Sequence, residues 1–256
     1  MPSMTTTELV LTNRHGKRMP ATLLLPDGEP KGTVVILHGL GGWKDQPLHV
    51  ALTKFFGESG YGVFRGNESD AITSPDGDFF HETTTQYTSD VEDMFEYLKK
   101  QSWFRAPVIL VGHSMGGLVA AWYAEKFPRE VLKLILLAPA VSWKMMWWAE
   151  LVFALFDMIR GHAKILGIHG KRFLLSPLWW KDYFTYDGYA YATHILAPTL
   201  IISAERDGTV AKPFVHRRYT KQFPNAEHST ITWADHDFTG HEDEVIATIN
   251  QWHTSS

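Results

Sequence analysis

The chain has no cysteine, which excludes disulfide bridges, thiolate nucleophiles and cysteine-ligated metals. Its 256 residues contain no apolar run long enough to span a bilayer. There is no block of like charge, and a formal net charge of −4 gives no support to a nucleic-acid partner. The opening Met1-Pro2-Ser3-Met4-Thr5-Thr6-Thr7 lacks the basic and apolar regions of a secretion signal, so a cytoplasmic location is the expectation. No internal repeat or low-complexity linker divides the sequence. With 45 % hydrophobic and 20 % charged residues, the composition is that of a globular protein with a substantial core. One domain carrying an insertion fits this length.

Against that background one stretch stands out. Gly112-His113-Ser114-Met115-Gly116 fits the pattern G-x-S-x-G. The run Pro107 to Val111 before it is short, apolar and branched, as in a buried strand. After it, Leu118 to Phe127 reads as a helix that stops at Pro128. A strand, a tight turn and a helix are the context in which this motif lifts a serine hydroxyl out of a strained turn. The competing reading is a glycine-rich turn with an ordinary serine, and the flanking elements weigh against it.

The rest of the chain alternates strands and helices. Glu8 to Thr12 and Ala21 to Leu25 read as an antiparallel hairpin, and Thr33 to Leu37 as a central strand ending in His38-Gly39-Leu40-Gly41-Gly42. A helix from Pro47 to Ser59, a strand from Tyr61 to Arg65 and a polar surface loop from Gly66 to Thr84 follow. Ser89 to Gln101 has the spacing of an amphipathic helix, and Leu132 to Leu137 is the next strand. Beyond residue 193, Thr199 to Ser203 is a strand, Lys212 to Gln222 a helix, His228 to Trp233 a strand and Glu242 to Trp252 a helix. The expected fold is α/β, a mostly parallel sheet with helices on both faces. Residues 141–193 break the alternation with many aromatics, helical stretches such as Lys144 to Arg160 and no buried strand. The expected division is a core of residues 1–140 and 194–256 with a helical cap at 141–193.

A serine hydroxyl needs a general base, usually a histidine held by a carboxylate. In parallel sheets the functional groups gather beyond the carboxyl ends of strands, which narrows thirteen histidines to those just after strands. His236 follows the last strand and His38 an early one, the latter shaping its loop through a hydrogen bond. Asp207 follows the strand Thr199 to Ser203, with Glu205 close enough to compete. The order Ser114, Asp207, His236 is the chain order of the nucleophile-elbow fold. His162, His169, His194 and His241 lack zinc-ligand spacing, and no metal or cofactor is expected.

On His38-Gly39, Gly112 to Gly116, Asp207 and His236, the chain resembles the α/β-hydrolase superfamily over essentially its whole length. Leu137-Ala138-Pro139-Ala140 and Ala234-Asp235-His236-Asp237-Phe238 look most like small carboxylesterases, including feruloyl esterases and monoacylglycerol lipases. The resemblance implies Ser114 as nucleophile, His236 as base, Asp207 as its orienter, and an oxyanion hole from the amides of Leu40 and Met115. It departs from many relatives at Arg65 to Asp70, where the loop is shortened. The expectation is a cofactor-independent serine ester hydrolase with a small-molecule substrate. Cap aromatics such as Trp147 and Trp148 would line a pocket for an apolar or aromatic acyl group. The alternatives are amide, thioester or C–C bond hydrolysis on the same residues, or a hydrolase-like ligand receptor.

Overall fold

In the computed structural model, residues 3–142, 159, 164–168, 171–210 and 212–255 are described. Eight strands form one sheet. In chain order they are β1 (Met4–Thr12), β2 (Arg18–Pro26), β3 (Thr33–Leu37), β4 (Gly62–Gly66), β5 (Val108–His113), β6 (Val131–Leu137), β9 (Thr199–Ala204) and β10 (Ala226–Ile231). Their spatial order is β1-β2-β4-β3-β5-β6-β9-β10. β1 and β2 pair antiparallel, β2 joins β4 antiparallel, and every later pairing is parallel. The chain therefore lays β4 on one side of β3 and β5 on the other. Such a reversal opens a crevice beyond the carboxyl ends of β3 and β5.

Both faces of the sheet are covered, which explains why its strands are continuous apolar runs. Val34, Ile36, Ile109, Val111, Ile135 and Ile202 pack against α1 (Pro47–Glu58) and the last helix, α7 (Glu242–Ser255). Val35, Leu37, Leu110, Leu134 and Ile201 face the other layer. That layer contains α2 (Thr84–Leu98), α3 (Met115–Lys126) and α6 (Pro213–Thr220). Pro47 opens α1, where its missing N–H costs nothing, and the Thr83 side chain caps α2 by accepting from the Gln86 amide.

Three differences from the sequence reading have physical causes. Residues 66–84 are only in part the expected surface loop, because Thr73 and residues 75–78 are exposed while Asn67, Glu68, Ser69, Asp70, Ala71 and Glu82 are buried. Side chains from within and outside the segment supply some of the partners that burial requires. Ser69 N–H donates to Asp90 Oδ2 (2.7 Å), Asp70 N–H to Glu68 Oε2 (2.8 Å), and Lys17 pairs with Asp70. Second, the last strand ends at Ile231, two residues before Trp233. Its register partner Ala204 is the final residue of β9, so the ladder runs out there. Third, the 141–193 segment contains an antiparallel hairpin, β7 (Lys164–Ile168) with β8 (Lys171–Leu175). Gly167 interrupts the apolar run, and Lys171-Arg172 opens the second strand, so neither strand alternates cleanly in sequence. Two short helices follow, α4 (Leu178–Tyr183) and α5 (Gly188–Ala192). Lys144 to Arg160, expected to be helical, lies almost entirely outside the described residues. No helix among the described residues is long and apolar enough to cross a membrane.

The buried part of the 66–84 segment carries an electrostatic consequence. Both carboxyl oxygens of Glu82, and Oε1 of Glu68, have no hydrogen-bond partner among the described residues. Burial first, and neighbouring carboxylates second, push both glutamates well above the ordinary value of 4.5. Groups raised in this way keep their protons in the folded chain and release them on unfolding. Their contribution to stability is complete below the ordinary glutamate range and is lost as pH rises towards the raised values. Glu82→Gln, which needs no proton, is expected to raise the urea midpoint at pH 8, with the gain shrinking towards pH 5. A gain that does not depend on pH would show that the carboxyl is not held neutral.

Candidate active site

The crevice at the ends of β3 and β5 is shaped first by steric demands at glycine. A Cβ on Gly112 would lie 2.3 Å from the Gly116 carbonyl oxygen, and one on Gly116 would lie 2.3 Å from that of His38. One on Gly39 would lie 2.7 Å from Ser114 Cβ. Only glycine permits these approaches. Between them Ser114 adopts φ 54° and ψ −121°, a conformation rare for a residue with a side chain. Main-chain bonds hold it there. Its N–H donates to Leu137 O (2.9 Å), and its carbonyl accepts from Gly117 and Ala140 (2.9 Å each).

This turn brings together three of the residues singled out in the sequence. His236 Nε2 is 2.8 Å from Ser114 Oγ, and His236 Nδ1 is 2.8 Å from Asp207 Oδ2. The other Asp207 oxygen accepts from the amides of Thr209 (2.7 Å) and Val210 (3.0 Å). Burial works to raise the Asp207 carboxyl. The hydrogen bond and charge of His236, with the two amides, outweigh it and bring Asp207 below the usual carboxylate range. An ionised Asp207 only accepts, so His236 carries its proton on Nδ1 and leaves Nε2 to accept from the Ser114 hydroxyl. Glu205, the competing acid, instead accepts from the Trp233 amide (2.9 Å).

Leu40 and Met115 sit on either side of this serine in the fold, one in the loop after β3 and the other opening α3. Among the described residues, neither amide donates to a backbone carbonyl. The direction of the Leu40 amide follows from its peptide partner. Gly39 O accepts from Gly42 N–H and from His38 Nδ1, both at 2.9 Å. In a trans peptide the Leu40 N–H points the opposite way. His38 is itself held, because its Nε2 accepts from Glu68 N–H (3.4 Å) and its carbonyl accepts from the Tyr87 hydroxyl (2.9 Å). Burial lowers it to about 4, so the imidazole stays neutral. The far end of the loop is tied down at Lys44, whose amide donates to Asn67 (2.7 Å) and whose ammonium meets Glu8 and Asp45 (2.8 Å each).

The remaining expectations are distributed differently. Trp147 and Trp148, with His162 and His169, lie outside the described residues. His194 is exposed, and His241 pairs with Glu244 (2.8 Å). Among the described residues, no group of three acidic or histidine side chains could hold a metal. The part of the 141–193 segment that is described docks on the start of α2. Ser176 N–H donates to Phe80 O (2.8 Å), Thr85 Oγ1 to Asp182, and Tyr186 Oη meets Thr85 and Thr88 (3.0 and 3.2 Å). Within it Trp179 stacks on Tyr183, with centroids 4.9 Å apart. Sequence reasoning missed the buried acids Glu68, Glu82 and Asp90. Nothing local marks them, since their burial depends on contacts across the loop.

Comparison with known proteins agrees with this fold. Residues 28–175 match the model of the family described as serine aminopeptidase, S33. A monoacylglycerol lipase from Mycolicibacterium smegmatis is 27 % identical over 142 residues, which are 56 % of this chain. That match covers 50 % of the lipase, so the chain spans about half the length of this relative. Among solved structures, Est1E from Butyrivibrio proteoclasticus with bound ferulic acid superposes with a TM-score of 0.81 at 20 % identity, covering 96 % of this chain and 98 % of that one. Mouse alpha/beta hydrolase domain-containing protein 10 does so with a TM-score of 0.77 at 16 % identity, covering 97 % and 99 %. At these identities the structural likenesses speak for the fold. The family match spans more than half of the chain, from the turn before β3 through the Ser114 turn to β8, and the protein belongs to the serine aminopeptidase S33 family of α/β hydrolases.

Proposed function

We propose that the protein is a serine hydrolase that cleaves carboxylic esters with apolar or aromatic acyl groups through an acyl-enzyme. The observation that carries this reading is the unbroken chain from Asp207 through His236 to Ser114, with both links at 2.8 Å. In the first half-reaction, Ser114 Oγ attacks the ester carbonyl carbon while His236 Nε2 takes the hydroxyl proton. The carbonyl oxygen gains the negative charge and is held by the Leu40 and Met115 amides. Loss of one such donor typically costs about 3–4 kcal/mol of transition-state stabilisation. The intermediate collapses, His236 returns the proton to the departing alkoxide, and the acyl group stays on Ser114. Water then repeats the sequence in the second half-reaction and releases the acid. Asp207 holds the imidazole in the required tautomer and stabilises it while it is protonated.

Two likenesses support an ester substrate. One relative is a monoacylglycerol lipase, and a structural neighbour holds ferulic acid, an aromatic acid. The family description names a serine aminopeptidase, which favours an amide substrate as the second reading. Parallel assays with p-nitrophenyl esters, from acetate to palmitate and including a hydroxycinnamate, and with p-nitroanilides of matching acyl groups separate the two. Faster turnover of the anilides would reverse the choice.

On this reading Ser114→Ala abolishes ester turnover and fluorophosphonate labelling while leaving the far-ultraviolet circular dichroism unchanged. Undiminished labelling of that variant would refute the assignment. Asp207→Asn is expected to lower kcat by roughly 10³–10⁴, because nucleophile, base and orienter act as a unit. Glu205→Gln is expected to leave kcat within a few-fold of the parent, and the opposite ranking of the two would transfer the role to Glu205. Residues 141–193 are proposed as a cap that selects the acyl group. Trp147→Ala or Trp148→Ala should then re-rank the acyl-chain series by a graded amount, about 1–3 kcal/mol per methylene contact. An unchanged ranking in both variants would leave these tryptophans no part in selection.

A further inference from the structure

His113, the residue before Ser114, belongs to the serine motif only as one of its variable positions, yet it makes a specific long-range contact. Its Nε2 lies 2.9 Å from the main-chain carbonyl oxygen of His236, a separation of 123 residues in sequence. A carbonyl oxygen only accepts, so His113 Nε2 carries the proton and donates. The ring is 3 % exposed and stands 5.0 Å from the His236 ring, with its edge towards Phe238 at 6.4 Å and towards His49 at 6.0 Å. The result is a closed cycle. Ser114 Oγ meets the His236 ring, the His236 carbonyl meets the His113 ring, and His113 is peptide-bonded to Ser114.

The loop that carries His236 needs such a tether. It lies between β10 and α7, outside any ladder, and contains two non-glycine residues in left-handed conformations, Trp233 (φ 63°) and Phe238 (φ 55°). Some of its bonds are internal, from Phe238 N–H to Asp235 O and from Thr239 N–H to Asp235 Oδ1. Others lead to the β9 side, from Arg206 N–H to Ala234 O and from Trp233 N–H to Glu205 Oε2. The Asp207 carboxylate pulls the His236 ring towards that same side. The bond from His113 opposes these and ties the loop to β5, where the serine is.

We infer that His113 is a positioning residue that locks the His236 loop to the nucleophile turn and so sets the separation between Ser114 and His236. The inference rests on the reading of Ser114 as nucleophile and His236 as base. Burial, and then the nearby charge of His236, lower His113 to about 4, so it stays neutral when His236 is protonated and adds no second cation beside it. Proton transfer to a base requires heavy atoms within about 2.6–3.2 Å, and a misplacement of about 1 Å can cost on the order of 10² in rate.

The test compares His113→Phe, which keeps the planar ring but has no donor, with His113→Gln, whose amide N–H reaches about as far as Nε2. Rates are normalised to active sites titrated with a fluorophosphonate, so that misfolded protein does not count. His113→Phe is expected to lower kcat for a short p-nitrophenyl ester by roughly 10–100-fold. KM should stay within about twofold, and the rate of fluorophosphonate labelling should fall by the same factor as kcat. His113→Gln is expected to recover most of the loss. If His113→Phe does not fold, His113→Asn, too short to reach the carbonyl, should show the same defect. Normal kcat per titrated site in the donor-less variant overturns the inference, as does a His113→Gln enzyme that is stable but equally slow. Ser114→Ala is assayed alongside. A Ser114→Ala enzyme that still turns over removes the functional reading itself. An inactive Ser114→Ala enzyme beside a fully active His113→Phe removes only the role of His113.

Discussion

The structure is arranged around one strained residue. A serine at φ 54° sits in a region that residues with side chains avoid, and such backbone strain costs about 1–3 kcal/mol. It persists only where the surroundings leave no easier alternative. Here the alternatives are removed by three main-chain hydrogen bonds on Ser114 and by the clearances at Gly39, Gly112 and Gly116. The strain also spreads to β6. Ala140 reaches back to Ser114 O, and Ala138, between that contact and the end of the strand, is itself at φ 40°. The Leu137 to Ala140 stretch is therefore a second wall of the same turn.

Around this turn the chain buries many ionisable groups, and their environments divide them sharply. Asp207 is provided with two amides and an imidazole and stays ionised. Glu68 and Glu82 are buried with fewer partners and beside other acids, so they stay protonated. His38, His113 and His216 are all lowered to about 4, principally by burial, and stay neutral. The same side-chain chemistry thus gives opposite charge states according to which donors the fold supplies. The neighbourhood of His236 consequently contains one fixed negative charge in direct contact and several neutral dipoles. On the proposed reading, in which His236 gains and loses a proton as the base, that arrangement serves it, because the field it experiences does not titrate with it.

Much of this was legible from local pattern. The buried strands β3, β5, β6 and β9 are continuous apolar runs, and their lengths and breaks mark them without reference to the rest of the chain. Ser114, Asp207 and His236 were legible because each follows a strand, and a parallel sheet puts all such positions at one edge. The other features are long-range. The polar residues 66–84 look like a surface loop throughout, because a sequence does not display that part of the segment is buried and met by Asp90 and Lys17 from other elements. The β7/β8 hairpin is hidden by Gly167 and by the charges that open its second strand. His113 is similar. It occupies a position where the motif tolerates any residue, and its partner is a main-chain carbonyl, which has no signature in sequence.

The start of α2 links two parts of the molecule that the sequence treats as separate. Tyr87, on its inner face, donates to His38 O and so supports the loop that orients the Leu40 amide. Thr84, one turn earlier, brings its hydroxyl to 4.0 Å from the sulfur of Met115. Thr85 and the buried Thr88 hold Asp182 and Tyr186 of the 141–193 segment. Two helical turns therefore carry the support of the loop that holds Leu40, a side-chain contact with Met115 and the attachment of the segment proposed to select the acyl group. Side chains three and four apart on a helix share a face, so these contacts are rigidly related to one another. A shift of the segment against α2 would be felt at His38 and Met115 through a single short element rather than through the sheet. Substrate selection and oxyanion geometry, if altered by substitution at Thr85 or Thr88, would for that reason change together.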